Sequence, residues 1–184
     1  MAKVYEELDE RLQDFIRKQK MFFVASAPLS GDGLVNVSPK GLNESCILDE
    51  KTVAYLDLLG SGVESVAHIK ENGRFVIMFC WFDSTPKILR LHGRGQVIEQ
   101  SDPEWNDLAS HFEITKAARA IIKLSIERVA DSCGWGVPMY DFKGHRAQYD
   151  DYMAQTDDDG LRQLQENHCL KSLDGLPALD RPTV

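Results

Sequence analysis

The stretch "VAYLDLLGSGVESVAHIKENGRFVIMFCWF", residues 53–82, decides the fold. It opens with β-branched, aromatic and aliphatic residues, and with Thr52 it reads as a strand over 52–58. A Gly60-Ser61-Gly62 break follows, then a helix over about 62–72. Asn72-Gly73 stops that helix, since glycine readily takes the left-handed conformation that closes a helix end. Residues 74–82 are apolar and aromatic after Arg74, which predicts a central, buried strand.

Two glycines and a serine at a helix start have two readings. Ser61 and Glu64 stand at the S-x-x-E spacing of a capping box, which satisfies the first helical amides internally. The same amides, with the helix dipole behind them, also suit a phosphate, and glycines let it approach the backbone. A glutamate beside a phosphate repels it.

Upstream, Val4, Leu8, Leu12, Phe15 and Ile16 recur at helical spacing, so an amphipathic N-terminal helix is expected over 4–19, within residues 1–20. "MFFVASA" (21–27) and "LVNVS" (34–38) flank the turn cluster "PLSGDG" and predict a hairpin. Val35 and Val37 point one way along its second strand, and Asn36, Ser38 and Lys40 the other. Taken alone, that polar face is the solvent side of a hairpin. Pro39 cannot donate to a ladder, so a bulge or the end of pairing is expected there. "SCILD" (45–49) is a further strand.

Downstream, "KILRLHGRGQVIE" (87–99) alternates. Leu89, Leu91 and Val97 share one face; Arg90, His92, Arg94 and Gln96 share the other. Two arginines and a histidine in one row repel unless an anion or acidic side chains answer them. Asp102-Pro103 predicts a helix start, with Trp105, Leu108, Ala109 and Phe112 as its apolar side. "IIKLSIERVA" (121–130) is another alternating strand. The region 140–184 reads as a helical extension, with helices near 144–155 and 158–167 and a turn-rich end. Six or seven strands on short connections, without regular strand–helix alternation, disfavour a doubly wound parallel sheet. A closed or nearly closed antiparallel barrel with peripheral helices fits.

The chain's 184 residues suit one domain over 1–184, and 43% hydrophobic residues suffice for a core. A net charge of −8 argues against nucleic-acid binding, which needs a basic footprint. No apolar run is long enough to span a bilayer, and "MAKVYEELDE" lacks the apolar centre of a signal peptide. A cytoplasmic location follows by default. The four cysteines form no C-x-x-C pair and read as free thiols; no metal site is expected. Neither a G-x-S-x-G elbow, a Walker sequence nor a G-x-G-x-x-G after a strand occurs.

The order "GLVNVSPKG" (33–41), then residues 53–82, then "PKILRLHGRGQVIE" (86–99) resembles the pyridoxamine 5′-phosphate oxidase-like, FMN-binding split-barrel family over residues 10 to 100. The resemblance implies a mainly β fold with peripheral helices: a six-stranded antiparallel split barrel forming a homodimer, with FMN at the dimer interface. It implies that the second strand, Val37, Ser38, Pro39 and Lys40, and the stretch around Leu56, Asp57, Ser61, Gly62 and Ser65 bind the cofactor. Lys40 becomes a phosphate or ring contact, Ser61, Gly62 and Ser65 a phosphate cradle, and Arg90 reaches in from a neighbouring strand. The implied activity is an FMN-dependent oxidoreductase working on a small-molecule substrate or electron donor. The alternatives are a non-enzymatic flavin-binding or flavin-storage protein, or a dimeric scaffold without ligand. Where the family's namesake has an Arg-Lys pair after its Gly-Ser, this chain reads Val63-Glu64-Ser65. The namesake's C-terminal Trp and Arg-Leu motif is also missing, so oxidation of pyridoxamine phosphate is not implied. No acid or base stands out as catalytic. Trp135 reads as a core aromatic, or as a ring that stacks on the flavin.

Overall fold

The computed structural model describes residues 3–42 and 45–180. Among the described residues there are eight strands and five helices. The strands are β1 (Lys3–Tyr5), β2 (Phe22–Ser26), β3 (Asn36–Lys40), β4 (Ser45–Asp49), β5 (Thr52–Leu58), β6 (Arg74–Cys80), β7 (Lys87–Ile98) and β8 (Ala118–Cys133). The helices are α1 (Glu10–Arg17), α2 (Glu64–Asn72), α3 (Trp105–Ala109), α4 (Gln148–Gln155) and α5 (Asp158–His168).

All strand pairs are antiparallel, in the order β3-β2-β6-β7-β8-β5-β4, with β1 added to β8. The long β7 and β8 are the spine. Half of β8 pairs with β5, and beyond Thr52, where β5 begins, β1 takes over the same edge at Val129–Asp131. A register shift at His92/Gly93 bends this pair. A Cβ on Gly93 would lie 2.0 Å from the Ser125 carbonyl oxygen, so the bend admits no side chain there. The curled sheet encloses Phe22, Val24, Tyr55, Ile77, Phe79, Leu89, Leu91 and Leu124. A second apolar cluster, with Leu56, Ile98, Trp105, Leu108 and Ile121, lies beneath α3. α2 ends as expected, on Gly73 at φ 72°. The result is a split barrel: β3 and β4 are the two ends of the sheet.

Several sequence expectations need correction. The N-terminal helix starts at Glu10 rather than near residue 4. Asp9 is its cap, its carboxylate accepting the Leu12 N–H at 2.8 Å, and an Asp at that position ends the helix as firmly as apolar spacing extends it. Residues 3–5 become β1, which brings the count to eight strands rather than six. Pro39 makes no bulge: β3 pairs with β2 in unbroken register from Phe22↔Lys40 to Ser26↔Asn36. Pro39 sits on an edge strand, where the missing N–H costs no ladder bond. α3 begins at Trp105 because the Asp102 carboxylate instead closes a turn on the Glu99 N–H at 2.6 Å. The helix expected from 144 begins at Gln148. Trp135 is 83% exposed, so it is no core aromatic.

Candidate functional site

Strand alternation puts Asp57 on the interior side of β5, with Tyr55 two residues before it. The carboxylate is fully buried and meets two cations. Lys40 Nζ lies 2.7 Å from Oδ1, and Arg119 Nε lies 2.6 Å from Oδ2. Burial alone would raise the Asp57 pKa, but the charges and hydrogen bonds of Arg119 and Lys40 outweigh it and hold it at about 2. Arg119, itself pushed upward by Asp57 against the effect of burial, has two further contacts. Its Nη2 donates to the Gly62 carbonyl at 2.7 Å and its Nη1 reaches Cys169 Sγ at 3.5 Å. Two cations on one carboxylate give this three-residue cluster a net charge of +1.

The polar face of β3 is turned inward. Asn36, Ser38 and Lys40 are half-buried, while Val35 and Val37, at 71% and 62% exposure, face out. Asn36 Nδ2 donates to Ser65 Oγ at 2.9 Å, and the Ser38 hydroxyl donates to Asn36 Oδ1 at 3.1 Å. The split between β3 and β5 is therefore spanned at one end by Asn36–Ser65 and at the other by Lys40–Asp57. The solvent-side reading of this face is overturned.

At the start of α2 the capping box does not form. The N-cap residue is Val63, and among the described residues no side chain caps the helix. Ser61 is exposed in the preceding loop, and Glu64 Oε1 instead takes the Leu173 N–H at 3.3 Å. The first-turn amides of α2 thus have no side-chain acceptor. One turn on, His68 is wholly buried and shares a 2.9 Å hydrogen bond between Nδ1 and Ser26 Oγ. Burial lowers its pKa, which keeps the imidazole neutral.

Not every predicted position converges here. Leu56 points away from Asp57, into the cluster beneath α3. Val37 and Pro39 lie on the outer face of β3. Arg90 is on the far side of the sheet: its neighbours Leu89 and Leu91 are in the interior, and its Nη1 donates to Ser132 Oγ at 2.9 Å. His92 shares that outer face, its pKa lowered by burial and by Arg128 and Arg90. Arg94 is answered by Glu127 at 3.2 Å.

The C-terminal segment closes over the same corner. Tyr149 Oη donates to the Leu59 carbonyl at 2.8 Å, and Asp174 Oδ2 accepts the Leu34 N–H at 2.9 Å. Sequence reasoning missed this strap and also missed Arg119. The signal for Arg119 was present: Asp57 is the one charge in Thr52–Leu58, Arg119 stands between Ala118 and the run Ala120, Ile121, Ile122, and a buried charge needs a partner.

A split barrel whose edge strand presents amide, hydroxyl and ammonium groups to a helix start across the split defines the structural class. The chain belongs to the pyridoxamine 5′-phosphate oxidase family, whose sequence model matches residues 8–133. It is 39% identical to the pyridoxamine 5′-phosphate oxidase family protein ustO of Aspergillus flavus, over 95% of this chain and 77% of that protein. Among solved structures it is similar to HupZ of Group A Streptococcus, with a TM-score of 0.52 and 20% identity over 66% of this chain and 90% of that one. A candidate pyridoxamine 5′-phosphate oxidase of Lactobacillus delbrueckii gives 0.51 and 22%, over 68% and 94%. At those identities the two structures speak for the fold. Among the described residues no helix is long and apolar enough to cross a membrane.

Proposed function

We propose that this chain is a flavin-dependent oxidoreductase that holds FMN in the split between β3 and α2 and works as a homodimer on a small-molecule substrate. One observation carries the reading. The polar face of β3 is turned toward a helix start that no described side chain caps, beside the net positive cluster of Lys40, Arg119 and Asp57. These groups fit the cofactor's phosphate end: uncapped amides and the Ser61 and Ser65 hydroxyls donate to it. The nearby carboxylates of Asp57, Glu64 and Asp174 already accept hydrogen bonds from the protein. FMN, when bound, supplies hydride chemistry, which no side chain here provides. The chain's own part is to orient it: Asn36 and Ser65 fix one end, and Lys40, tethered by Asp57, fixes the other. The exposed Leu34, Val35 and Val37 on and beside the edge strand form the face that a second copy covers.

Titrating FMN into the purified protein tests this. Flavin fluorescence should quench to one FMN per chain, and Asn36→Ala with Ser65→Ala should weaken binding about tenfold, the equivalent of about 1.4 kcal/mol. Bound flavin should bleach with a nicotinamide donor and recover with an acceptor, and light scattering should give twice the 20.8 kDa chain mass. Saturable FMN binding without reduction by any nicotinamide donor favours storage over catalysis. Absence of FMN binding at millimolar flavin overturns the reading.

A further inference from the structure

A cleft of about 810 Å³ opens where the loop after α1, the loop after β6 and the segment Tyr140–Gly144 meet. That volume suits a small organic ligand. Its walls carry Phe23, Trp81, Phe82, Tyr140 and Phe142. The Tyr140 segment lies beyond residues 8–133, so this wall belongs to the chain and not to the matched family region. It is docked in place: the Tyr140 N–H donates to the Phe82 carbonyl at 2.9 Å, and the Phe82 and Tyr140 rings lie 5.7 Å apart. Three cations, Lys18, Lys20 and Lys143, stand at the rim against Asp83 and Asp141. Asp83 is partly engaged, accepting the Ser84 N–H at 2.6 Å. Among the described residues none of the three lysines has an ion-pair partner, and Lys20 Nζ lies 5.9 Å from the Phe142 ring centroid. The cleft thus offers aromatic faces and a surplus of positive charge.

Its position matters as much as its lining. Phe23 pairs with Pro39 across β2–β3, and the Lys20 carbonyl lies beside Gly41, so the cleft adjoins the Lys40 end of β3. The uncapped helix start lies at the Asn36 end. Four residues of extended chain, about 13 Å, separate the two ends. Phe23 and Pro39 share the outer face of that ladder, so the cleft opens on the side of β2–β3 opposite the inward Asn36, Ser38 and Lys40.

We propose that this cleft is a binding site, separate from the split between β3 and α2, for a planar aromatic anion, a molecule of one to three rings bearing a carboxylate. The rings stack among Phe82, Tyr140 and Phe142, and the anionic group meets Lys20 and Lys143.

Calorimetric titration with 2-naphthoate and with its neutral counterpart 2-naphthalenemethanol tests the proposal, on the FMN-loaded and the flavin-free protein. Naphthoate should bind at least tenfold more tightly than the alcohol. Lys20→Gln with Lys143→Gln should remove most of that preference while leaving the alcohol unchanged, and Phe142→Ala should weaken both probes at least fivefold. All three side chains are on the surface, and circular dichroism confirms that the variants fold. Equal affinity for the two probes, affinities that ignore all these substitutions, or naphthoate that displaces FMN overturns the proposal. Naphthoate binding to protein that takes no FMN upholds the aromatic-anion pocket and sinks the flavin reading. FMN binding to protein that ignores naphthoate sinks the pocket and spares the flavin reading.

Discussion

Replacing Asp57 with asparagine keeps the side chain's volume and removes its charge, and the two cations around it set the cost. Asp57 is the counter-ion of both Lys40 and the buried Arg119. Removing one partner of a buried ion pair leaves the other charge uncompensated, at a cost of about 3–5 kcal/mol. Urea unfolding at pH 7 should show Asp57→Asn destabilised by about that amount. The pH dependence gives a second, independent magnitude. The folded carboxyl titrates at about 2, below its ordinary value of 3.8. A depressed pKa stabilises the fold above the unfolded value, and the gain disappears as pH falls through the folded one. At 1.36 kcal/mol for each pKa unit, the full contribution is about 2 kcal/mol, and about 1 kcal/mol of it is gone by pH 3. The gap between wild type and Asp57→Asn should therefore narrow by about 1 kcal/mol between pH 7 and pH 3. Other carboxylates titrate in both proteins and cancel in the difference. A variant within about 1 kcal/mol of wild type at pH 7, or a gap that stays constant down to pH 3, refutes the idea that this carboxylate ties the split barrel together.

Three other predictions rest on single contacts. Gly93→Ala forces a methyl against the Ser125 carbonyl and should cost at least about 3 kcal/mol in urea unfolding; Gly136→Ala, with nothing within 4 Å, should change stability by less than about 0.5 kcal/mol. Asp9→Ala removes the α1 cap and should cost about 1 kcal/mol by the same measurement, with Asp9→Asn recovering most of it. Tyr149→Phe deletes the hydrogen bond to the Leu59 carbonyl, should cost about 1 kcal/mol, and should speed amide exchange in residues 59–63 more than in β7.

The strands were legible wherever one face or both were apolar. The runs at 52–58, 74–82 and 87–99 reappear as β5, β6 and β7 within two residues, because burial of those side chains is what forms them. β1 was not legible: three residues gain their strand state only from the free edge of β8. The corner around Asp57 was half legible. Lys40, Ser65 and the glycine loop were expected there, but the inward turn of Asn36 and Ser38 depends on which face of β3 meets the split, and alternation alone does not say which face is inside. The same ambiguity hides the face that Arg90 takes. It shares strand β7 with interior leucines, and the one-residue parity that buries Leu89 and Leu91 sends Arg90 outward. The cations Lys40 and Arg119 come from strands that are far apart in the sheet order and meet only because the sheet curls. That curl depends on a long-range contact, the approach of Gly93 to Ser125, which no local pattern encodes. Charge, more than periodicity, was the overlooked guide. An Asp alone in an apolar strand and an Arg set among alanines and isoleucines had to meet a counter-charge somewhere, and meeting each other fixes how the barrel closes around the split.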